Sequence, residues 1–438
     1  MATLFKDVYI LDGSREKAAL GHVLVSKGRI VSVTEDSTGQ GAELNLKADK
    51  IISGHKRMAV LPGFVNAHTH AAMILLRGLG EEAPLMEWLN KKVWPVEAKL
   101  TAEHIYWGTL SAILEMLSTG TTCFADMYFE MDRVAEAALQ TGIRAALCRG
   151  MTADSNDKDK INRSLSENLE LADKWHGREG LITVQLGPHA PYTVPVEDMK
   201  KIAKAAKEHG LGVHLHYLET EFELNYIKNE LKTSPEDYLI KNTGLMDAPH
   251  LVLAHAVYLE PELANKLKLA NLTLVHTPSS NLKLGSGVMK LREWLDKGAA
   301  VALGTDGASS NNRLDMWEEM RTAALLHKGV NKDPVCVSAL DVLRMATYDG
   351  ARAFGFAQKG LVREGWMADL VLVDLDKPHY IGVNCENLAA YIVYAGSSAD
   401  VAGTMVNGKW LYRNGDFPTL DKIEIMQRAM TAREEITR

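Results

Sequence analysis

The chain has 438 residues, of which 46% are hydrophobic and 24% charged, and its 49 Lys and Arg against 56 Asp and Glu give a net charge of -7. This composition is typical of a globular protein and excludes a disordered or collagen-like chain. A mildly acidic chain without a long basic run does not favour nucleic acid as a partner. No run of about 18 uncharged apolar residues occurs, so we expect no membrane span.

The N-terminus and the cysteines indicate a cytoplasmic protein. Asp7 precedes any long apolar run, which argues against a signal peptide. The four cysteines form no C-x-x-C pair, so we expect reduced thiols at Cys123, Cys148, Cys336 and Cys385.

Both ends of the chain predict short strands. Residues 1–57 alternate apolar and polar side chains between turn signals such as LDGSRE and DSTGQG, and residues 360–415 repeat this pattern. Two half-sheets that flank a central region can pair, which predicts a small β-sandwich domain built from both termini. Residues 416–438 predict a closing helix.

Residues 58–359 alternate short apolar runs with amphipathic stretches, which is typical of parallel strands joined by helices. Two helices have clear ends, one from Thr101 to Gly120 and one from Val196 to Gly210. The predicted strands lie at residues 58–67, 121–126, 143–148, 181–187, 211–216, 251–256, 272–277 and 300–305. Eight strands are the number that a closed (β/α)8 barrel of the TIM type needs.

Polar side chains follow the ends of these strands, where the active site of such a barrel lies. In chain order they are His68 and His70, Asp126, Arg149, His189, His216 with Glu219, His255, His276 and Asp306. We expect His214 to be a hydrogen-bonded core residue, because it lies one layer deeper than His216, and His276 to be a structural residue.

His68 and His70 point to the same side of the chain, because successive side chains in a strand alternate faces. An isolated H-x-H pair is a weak metal signal, and Asp306 in a glycine-rich turn could simply form the turn. The combination is stronger, because His216 joins them at a later strand end. Three imidazoles and one carboxylate match a catalytic site for a divalent ion.

Six segments match one family pattern in register: VLPGFVNAHTH, HLHYLET, LAHAVYL, TPSSNLKLGSG, LGTDGASSNN and GWMADLVLVD. With these segments nearly the whole chain resembles the amidohydrolase superfamily, in its deaminase branch. Within that branch it is most similar to the 5'-methylthioadenosine/S-adenosylhomocysteine deaminases. The resemblance implies hydrolytic deamination of an adenine nucleoside to hypoxanthine with release of ammonia.

The resemblance also implies roles for the site residues. One divalent ion per subunit would be held by His68, His70, His216 and Asp306. Zn²⁺ suits these ligands best, although Fe²⁺ or Mn²⁺ tolerates the same set. Asp306 would take the proton of the attacking water, Glu219 would protonate the purine ring nitrogen, and His255 would orient the attacking hydroxide.

The predicted contacts to a nucleoside substrate depend more strongly on the family resemblance than the metal ligands do. Glu97 matches the position that holds the ribose hydroxyls, although beside Lys99 it could be a solvated surface residue. His189 would contact the nucleoside. Trp88 would wall the pocket or pack in the core, and Ser310 would add a polar contact.

Two arginines are candidates for binding the carboxylate of S-adenosylhomocysteine. Arg149 ends the third strand, where its guanidinium could bind a carboxylate through two hydrogen bonds. Arg163 lies in a less clearly aligned segment and could reach a neighbouring subunit. The sequence leaves open the association of chains and the ranking among methylthioadenosine, S-adenosylhomocysteine, 5'-deoxyadenosine and adenosine.

Two other functions compete. A relative on the same scaffold could deaminate or dechlorinate a free base or a triazine, such as guanine, cytosine or a chlorotriazine, but Glu97 and His189 favour a nucleoside. A non-catalytic scaffold protein is disfavoured, because the expected ligands and Glu219 are all present.

Overall fold

The computed structural model describes residues 2–36, 48–79, 81–82 and 85–438, without the side chains of residues 85 and 86. The predicted turn DSTGQG lies outside these residues except for its first position. In chain order the described strands are β1 (Ala2–Ile10), β2 (Ala19–Ser26), β3 (Arg29–Glu35), β4 (Lys50–Ser53), β5 (Met58–Pro62), β6 (Phe64–Thr69), β7 (Thr121–Tyr128), β8 (Arg144–Met151), β9 (Ile182–Val184), β10 (Gly187–Pro188), β11 (Val213–Tyr217), β12 (Leu251–His255), β13 (Leu272–His276), β14 (Ala300–Leu303), β15 (Leu370–Asp374), β16 (Val401–Val406) and β17 (Lys409–Arg413).

Helices connect most of these strands. The α-helices are α1 (Leu85–Trp88), α2 (Trp94–Glu97), α3 (Ala102–Ser118), α4 (Met131–Thr141), α5 (Lys160–Trp175), α6 (Val196–His209), α7 (Glu221–Asn225), α8 (Pro235–Asp237), α9 (Pro278–Lys283), α10 (Leu291–Asp296), α11 (Met316–Asn331), α12 (Ala339–Met345), α13 (Tyr348–Ala353), α14 (Leu388–Tyr394) and α15 (Lys422–Thr437). The helix α3 begins at its predicted cap, where Thr101 Oγ1 accepts a hydrogen bond from His104 N. The helix α6 ends at Gly210, whose φ of +68° favours glycine. The predicted closing helix is α15.

Strands from both ends of the chain share one sheet. Its order is β17-β16-β15-β5-β1-β2-β3, with β4 paired to β1. The strand β5 joins the two ends, because it runs parallel to β1 and antiparallel to β15. This terminal sheet has its own hydrophobic core, formed by Phe5, Val8, Ile10, Val23, Val25, Ile30, Ile52, Val60, Val362, Ala368, Leu370, Leu372 and Met405.

The single strand expected at residues 58–67 is divided in two. The first part, β5, belongs to the terminal sheet, and the second part, β6, begins a parallel sheet. Gly63 lies between them, and a Cβ atom there would meet the side chain of Thr122 at 2.3 Å. The backbone can therefore pass from one sheet to the other only because this residue has no side chain.

The remaining strands form two parallel sheets. One has the order β10-β8-β7-β6, with β9 also paired to β8, and the other has the order β11-β12-β13-β14. A parallel bridge between Leu186 and Val213 joins the two sheets on one side. On the other side Asp306 N donates a hydrogen bond of 2.9 Å to His68 O. The carboxyl ends of these strands therefore lie along one edge, which we call the carboxyl edge.

Two expectations from the sequence concern membrane-spanning segments and cysteines. None of the helices among the described residues combines the length and apolar character that crossing a membrane would require. The four cysteines are free thiols, three of them buried.

Candidate active site

Four candidate metal ligands converge at the carboxyl edge. Asp306 Oδ1 lies 3.2 Å from His70 Nε2 and 3.5 Å from His68 Nε2. The Nε2 atoms of His70 and His216 are 3.3 Å apart. Ligands held at ~2.0–2.1 Å in tetrahedral array around one Zn²⁺ would be roughly 3.3–3.4 Å apart, which these separations match.

Backbone carbonyls set the ring orientation of two of these histidines. His70 Nδ1 lies 2.6 Å from Met127 O, and His216 Nδ1 lies 2.8 Å from His189 O. A carbonyl oxygen only accepts hydrogen bonds, so each Nδ1 carries the proton and each Nε2 keeps its lone pair. Both rings therefore present the atom that a metal ion needs.

His68 is fully buried, and its two nitrogens differ. Its Nδ1 lies 3.0 Å from Nε2 of His214, which is the core residue expected from its deeper position in β11. Its Nε2 has no hydrogen-bond partner among the described residues and faces Asp306. A buried nitrogen without a partner is costly, and a divalent ion at this point would satisfy it. Three imidazoles and one carboxylate therefore fit such an ion.

The two oxygens of Asp306 have separate environments. Oδ2 accepts hydrogen bonds from the hydroxyls of Ser280 and Ser310, at 2.7 and 2.8 Å. Oδ1 faces the histidines. Ser310 was expected to contact the substrate, but its hydroxyl is engaged by Asp306, because the turn of the DGASSNN segment brings it back onto the carboxylate.

Glu219 and His255 lie next to the four ligands. Glu219 Oε2 is 4.0 Å from His255 Nε2, and Ser286 donates to Glu219 Oε1 at 3.4 Å. Burial raises the pKa of Glu219, with the charge of His255 opposing it, and a raised pKa favours the protonated form that a general acid needs. His255 Nδ1 contacts Asn281 Oδ1 at 2.9 Å and Thr277 Oγ1 at 3.0 Å, and these contacts fix the ring.

A cavity of about 1070 Å³ opens over this cluster. It is large enough for a nucleoside with a substituent, since ligand pockets commonly measure roughly 300–1,000 Å³. The predicted site residues that line it are His70, Trp88, Glu97, Arg149, His189, His216, Glu219, His255, Asp306 and Ser310.

The surroundings of Glu97 and His189 suit polar contacts. Tyr128 Oη donates a hydrogen bond of 2.5 Å to Glu97 Oε1, so Glu97 is not the solvated residue that its sequence context allowed. Burial raises the pKa of Glu97, while the Tyr128 hydrogen bond opposes the shift. Thr193 donates its hydroxyl to Ala190 O, so His189 Nδ1 donates to Thr193 and His189 Nε2 remains an acceptor.

The structure separates the two arginine candidates. Arg149 lines the cavity, and its Nε forms an ion pair of 2.9 Å with Glu167. Arg163 does not line this cavity; its side chain is 58% exposed and pairs with Asp157 in the loop before α5. The expectation that Arg163 belongs to the site is therefore not met within one chain, because the start of α5 directs it towards solvent.

Several positioning residues were missed from the sequence. Ser280, Thr277 and Asn281 belong to TPSSN, directly after β13, and a polar run at a strand end was the available signal. Nothing in the sequence indicated a role for Tyr128, which ends β7.

His276, expected to be structural, pairs with His327 at 3.0 Å.

Asp126 supports the backbone around His70. It is buried, and its Oδ1 accepts hydrogen bonds from Ala71 N at 2.7 Å and Thr69 Oγ1 at 3.1 Å. The two residues that flank His70 are therefore held by one carboxylate from the neighbouring strand. The sequence placed Asp126 at a strand end without assigning it a role.

The fold and the histidine-rich edge define a hydrolase that fits a divalent metal ion. A model of the amidohydrolase family matches residues 59–411, so the chain belongs to this family, as the sequence motifs predicted. It is 46% identical over 384 residues to a 5-methylthioadenosine/S-adenosylhomocysteine deaminase of Dictyoglomus thermophilum, which covers 87% of this chain and 88% of that protein.

Two further comparisons agree. The chain is 39% identical over 436 residues to a 5'-deoxyadenosine deaminase of Methanosarcina mazei, covering 99% of this chain and 98% of the relative. A crystal structure of an adenosine deaminase from Xanthomonas campestris with bound zinc superimposes with a TM-score of 0.90 at 32% identity, covering 99% of this chain and 98% of that chain.

Proposed function

We propose that this protein is a metal-dependent aminohydrolase that converts the adenine of 5'-methylthioadenosine and S-adenosylhomocysteine to hypoxanthine and releases ammonia. Adenosine and 5'-deoxyadenosine are further substrates of the same class. The observation that carries the proposal is the convergence of His68, His70, His216 and Asp306, with His70, His216 and Asp306 lining the same cavity as Glu219. The names of the similar deaminases support the substrate class.

The ligands would be the three histidines and Asp306, with Zn²⁺ the ion that suits them best. When bound, such an ion lowers the pKa of water from 15.7 to about 7 and so makes a nucleophile available at neutral pH. Asp306 would accept the proton of the attacking water. His255, held by Asn281 and Thr277, would orient that water towards C6 of the purine.

Glu219 would act as the general acid. Its buried carboxyl, with a raised pKa, would donate a proton to the purine ring nitrogen as the oxygen of water bonds to C6. The bond between C6 and the exocyclic nitrogen then breaks, and the amino group leaves as ammonia with the proton that Asp306 took from the water. The second proton of the water passes from the oxygen on C6 to Glu219, so both carboxyl groups return to their starting states. One adenine and one water thus give one hypoxanthine and one ammonia.

The other cavity residues would hold the nucleoside. Glu97, oriented by Tyr128, would accept hydrogen bonds from the ribose hydroxyls, and His189 Nε2 would accept one from the substrate. Arg149 would pair with the carboxylate of S-adenosylhomocysteine in place of Glu167. Trp88 would close one wall of the pocket.

We propose that the two parallel sheets form one closed (β/α)8 barrel, which the bridge between Leu186 and Val213 and the hydrogen bond from Asp306 to His68 support. We also propose that the terminal sheet folds around its own core as a small β-sandwich domain. The corresponding division assigns residues 1–57 and 360–415 to that domain, 58–359 to the catalytic barrel and 416–438 to a terminal helix.

The alternative is deamination or dechlorination of a free base or triazine. It has less support, because the relatives compared above are named for adenine nucleosides. The Tyr128-bound Glu97 in the cavity also favours a substrate with a ribose.

The test follows the ultraviolet change from adenine to hypoxanthine in S-adenosylhomocysteine, using protein loaded with Zn²⁺ and the same protein after chelation. Rapid conversion that disappears on chelation and returns with Zn²⁺ is the expected result. Conversion of guanine or a chlorotriazine without conversion of any adenine nucleoside would overturn the nucleoside assignment. Failure to bind a stoichiometric ion would overturn the metal-dependent mechanism.

A further inference from the structure

A second buried glutamate lies directly behind the proton donor. Glu223 is 0% exposed and belongs to α7, the short helix that follows β11. We infer that Glu223 is a positioning residue that holds the backbone carrying Glu219 in the geometry that proton transfer needs. This inference rests on the proposed function, in which Glu219 is the general acid.

Both oxygens of Glu223 are used on one short stretch of backbone. Oε1 accepts a hydrogen bond of 2.8 Å from Leu218 N, and Oε2 accepts one of 3.2 Å from Glu219 N. A carboxyl group that binds two consecutive amides restrains the two peptide planes on either side of Leu218 relative to each other. The amide of the proton donor itself is one of the two.

The local sequence predicts a different arrangement. Thr220 and Glu223 match the T-x-x-E pattern of a capping box, in which the glutamate reaches back to the amide of the capping threonine. Thr220 does cap the helix, since its Oγ1 accepts from Glu223 N at 3.4 Å. The Glu223 carboxylate, however, passes the threonine and binds the two preceding amides. This departure from ordinary capping places its hydrogen bonds on the turn and not on the helix.

The turn needs such support. Leu218 has φ of +53°, a left-handed conformation that a leucine rarely adopts. It lies between the metal ligand His216 and Glu219, so any relaxation of this residue would move the proton donor relative to the ligand. On the opposite side of the peptide, Leu218 O accepts from Tyr258 N at 3.0 Å. Glu223 and Tyr258 therefore hold the turn from both sides.

The test compares Glu223→Gln in two backgrounds, the unmodified protein and the Glu219→Gln variant. Glutamine keeps the size of the side chain but offers one acceptor oxygen, so one of the two amides loses its partner. We expect kcat for S-adenosylhomocysteine to fall about 10- to 100-fold, since misplacement of a reacting group by ~1 Å can cost 10² in rate. KM and the stoichiometry of bound Zn²⁺ are expected to stay within about twofold, less than the coupling of directly contacting groups.

The decisive measurement is the double-mutant cycle. If Glu223 acts through Glu219, its substitution costs nothing further in kcat once Glu219 is already glutamine. Equal losses in both backgrounds would show a merely structural role and overturn the inference, as would loss of Zn²⁺ in parallel with rate. The exposed Glu221 of the same helix is the matched control, and Glu221→Gln is expected to leave kcat unchanged.

A substitute variant and a separate test of the unmodified protein keep the result interpretable. If Glu223→Gln does not fold, Glu223→Asp takes its place in the cycle, because aspartate keeps the carboxyl group but is too short to reach both amides. The same absence of a further loss beside Glu219→Gln supports the inference, and equal losses overturn it. Failure of the proposed function is separate, because it appears as no deamination by the unmodified Zn²⁺-loaded protein.

Discussion

Two buried clusters of ionisable side chains lie at opposite ends of the parallel strands, and they differ in how they are paired. At the amino ends, Asp369 binds Arg144 at 2.6 Å and Lys359 at 3.2 Å, and all three side chains are almost completely buried. At the carboxyl edge, His68 Nε2 is buried beside Asp306 without a hydrogen-bond partner among the described residues. The first cluster is complete within the protein, whereas the second has an atom free for a ligand.

The backbone shows the same contrast. Arg144 begins the regular strand β8, while His255 and Asp306, at the carboxyl edge, have φ of +71° and +61°. Left-handed non-glycine residues cost of order 1–3 kcal/mol each and persist where the surrounding structure holds them. The carboxyl edge therefore carries backbone strain at two of its reactive residues, and Arg144, Lys359 and Asp369 at the amino ends carry none of this kind.

The largest expected effect is a loss of catalytic rate without a loss of folding stability. Glu219→Gln should lower kcat about 10²- to 10⁴-fold, the range for loss of a general acid, because glutamine cannot donate the proton. Bound Zn²⁺ should stay stoichiometric, and the free energy of unfolding should not fall. Kinetics, metal analysis and denaturant unfolding measure these quantities, with Glu221→Gln as the control. Full activity in Glu219→Gln would remove Glu219 from the mechanism.

For the buried cluster at the amino ends of the parallel strands we expect the opposite, a loss of folding stability without a loss of catalytic rate. Asp369→Ala leaves Arg144 and Lys359 buried without their carboxylate, which should cost about 3–5 kcal/mol of the free energy of unfolding. The kcat of the folded fraction should be unchanged, because the cluster lies away from the carboxyl edge. Denaturant unfolding and single-turnover rates provide the comparison.

A surface ion pair supplies the control for Asp369. Asp376 pairs with Arg57 at 2.9 Å, and both side chains are exposed. Asp376→Ala should cost less than about 1 kcal/mol, as exposed pairs usually do. Similar losses for the two variants would contradict the assignment of the buried cluster to stability.

The hydrogen-bond partner of His68, one of the proposed metal ligands, can be tested at His214. His214→Phe removes the partner of His68 Nδ1, and loss of such a contact typically lowers metal affinity about 10- to 100-fold. Competition with a chelator measures the affinity for Zn²⁺. His327→Phe is the control, because it also removes a buried histidine partner, that of His276, which does not line the cavity. Equal affinities for the two variants would refute a role for His214.

The smallest effect concerns acid stability. Burial opposes ionisation of Asp369, but the charges of Lys359 and Arg144 prevail and lower its pKa below the usual range. Because the folded pKa lies below the unfolded value of about 3.9, this carboxylate stabilises the fold above about pH 4 and loses its contribution as pH falls further. The loss approaches at most ~1.4 kcal/mol per pH unit.

This pH dependence is measured by denaturant unfolding between pH 5 and 3. The steepness attributable to Asp369 should be absent in Asp369→Asn, which cannot titrate at this position. An identical slope in both proteins would assign the acid sensitivity to other carboxylates.

Much of the site was predictable because its residues sit directly at strand ends. The carboxyl ends of parallel strands lie at one edge of a sheet. Each of four site residues comes at the end of a predicted strand, so the sequence implies that they lie at a common edge: His70, His216, His255 and Asp306. Glu97 could be placed only through its family resemblance, because it lies on α2 and its neighbours in the chain are those of a surface helix. Its hydrogen bond with Tyr128 joins residues 31 positions apart, which no local pattern indicates.

The succession of strands and helices along the chain, the family and the presence of a histidine-rich strand edge followed from the sequence by itself, since hydrophobic periodicity and short motifs are local properties of the chain. The tertiary structure decided which atoms face each other. It divided the strand at Gly63 between two sheets, turned Ser310 onto Asp306, directed Arg163 towards solvent and placed Glu223 behind Glu219. These outcomes depend on close packing between segments far apart in the chain, and packing of that kind has no signature in the order of neighbouring residues.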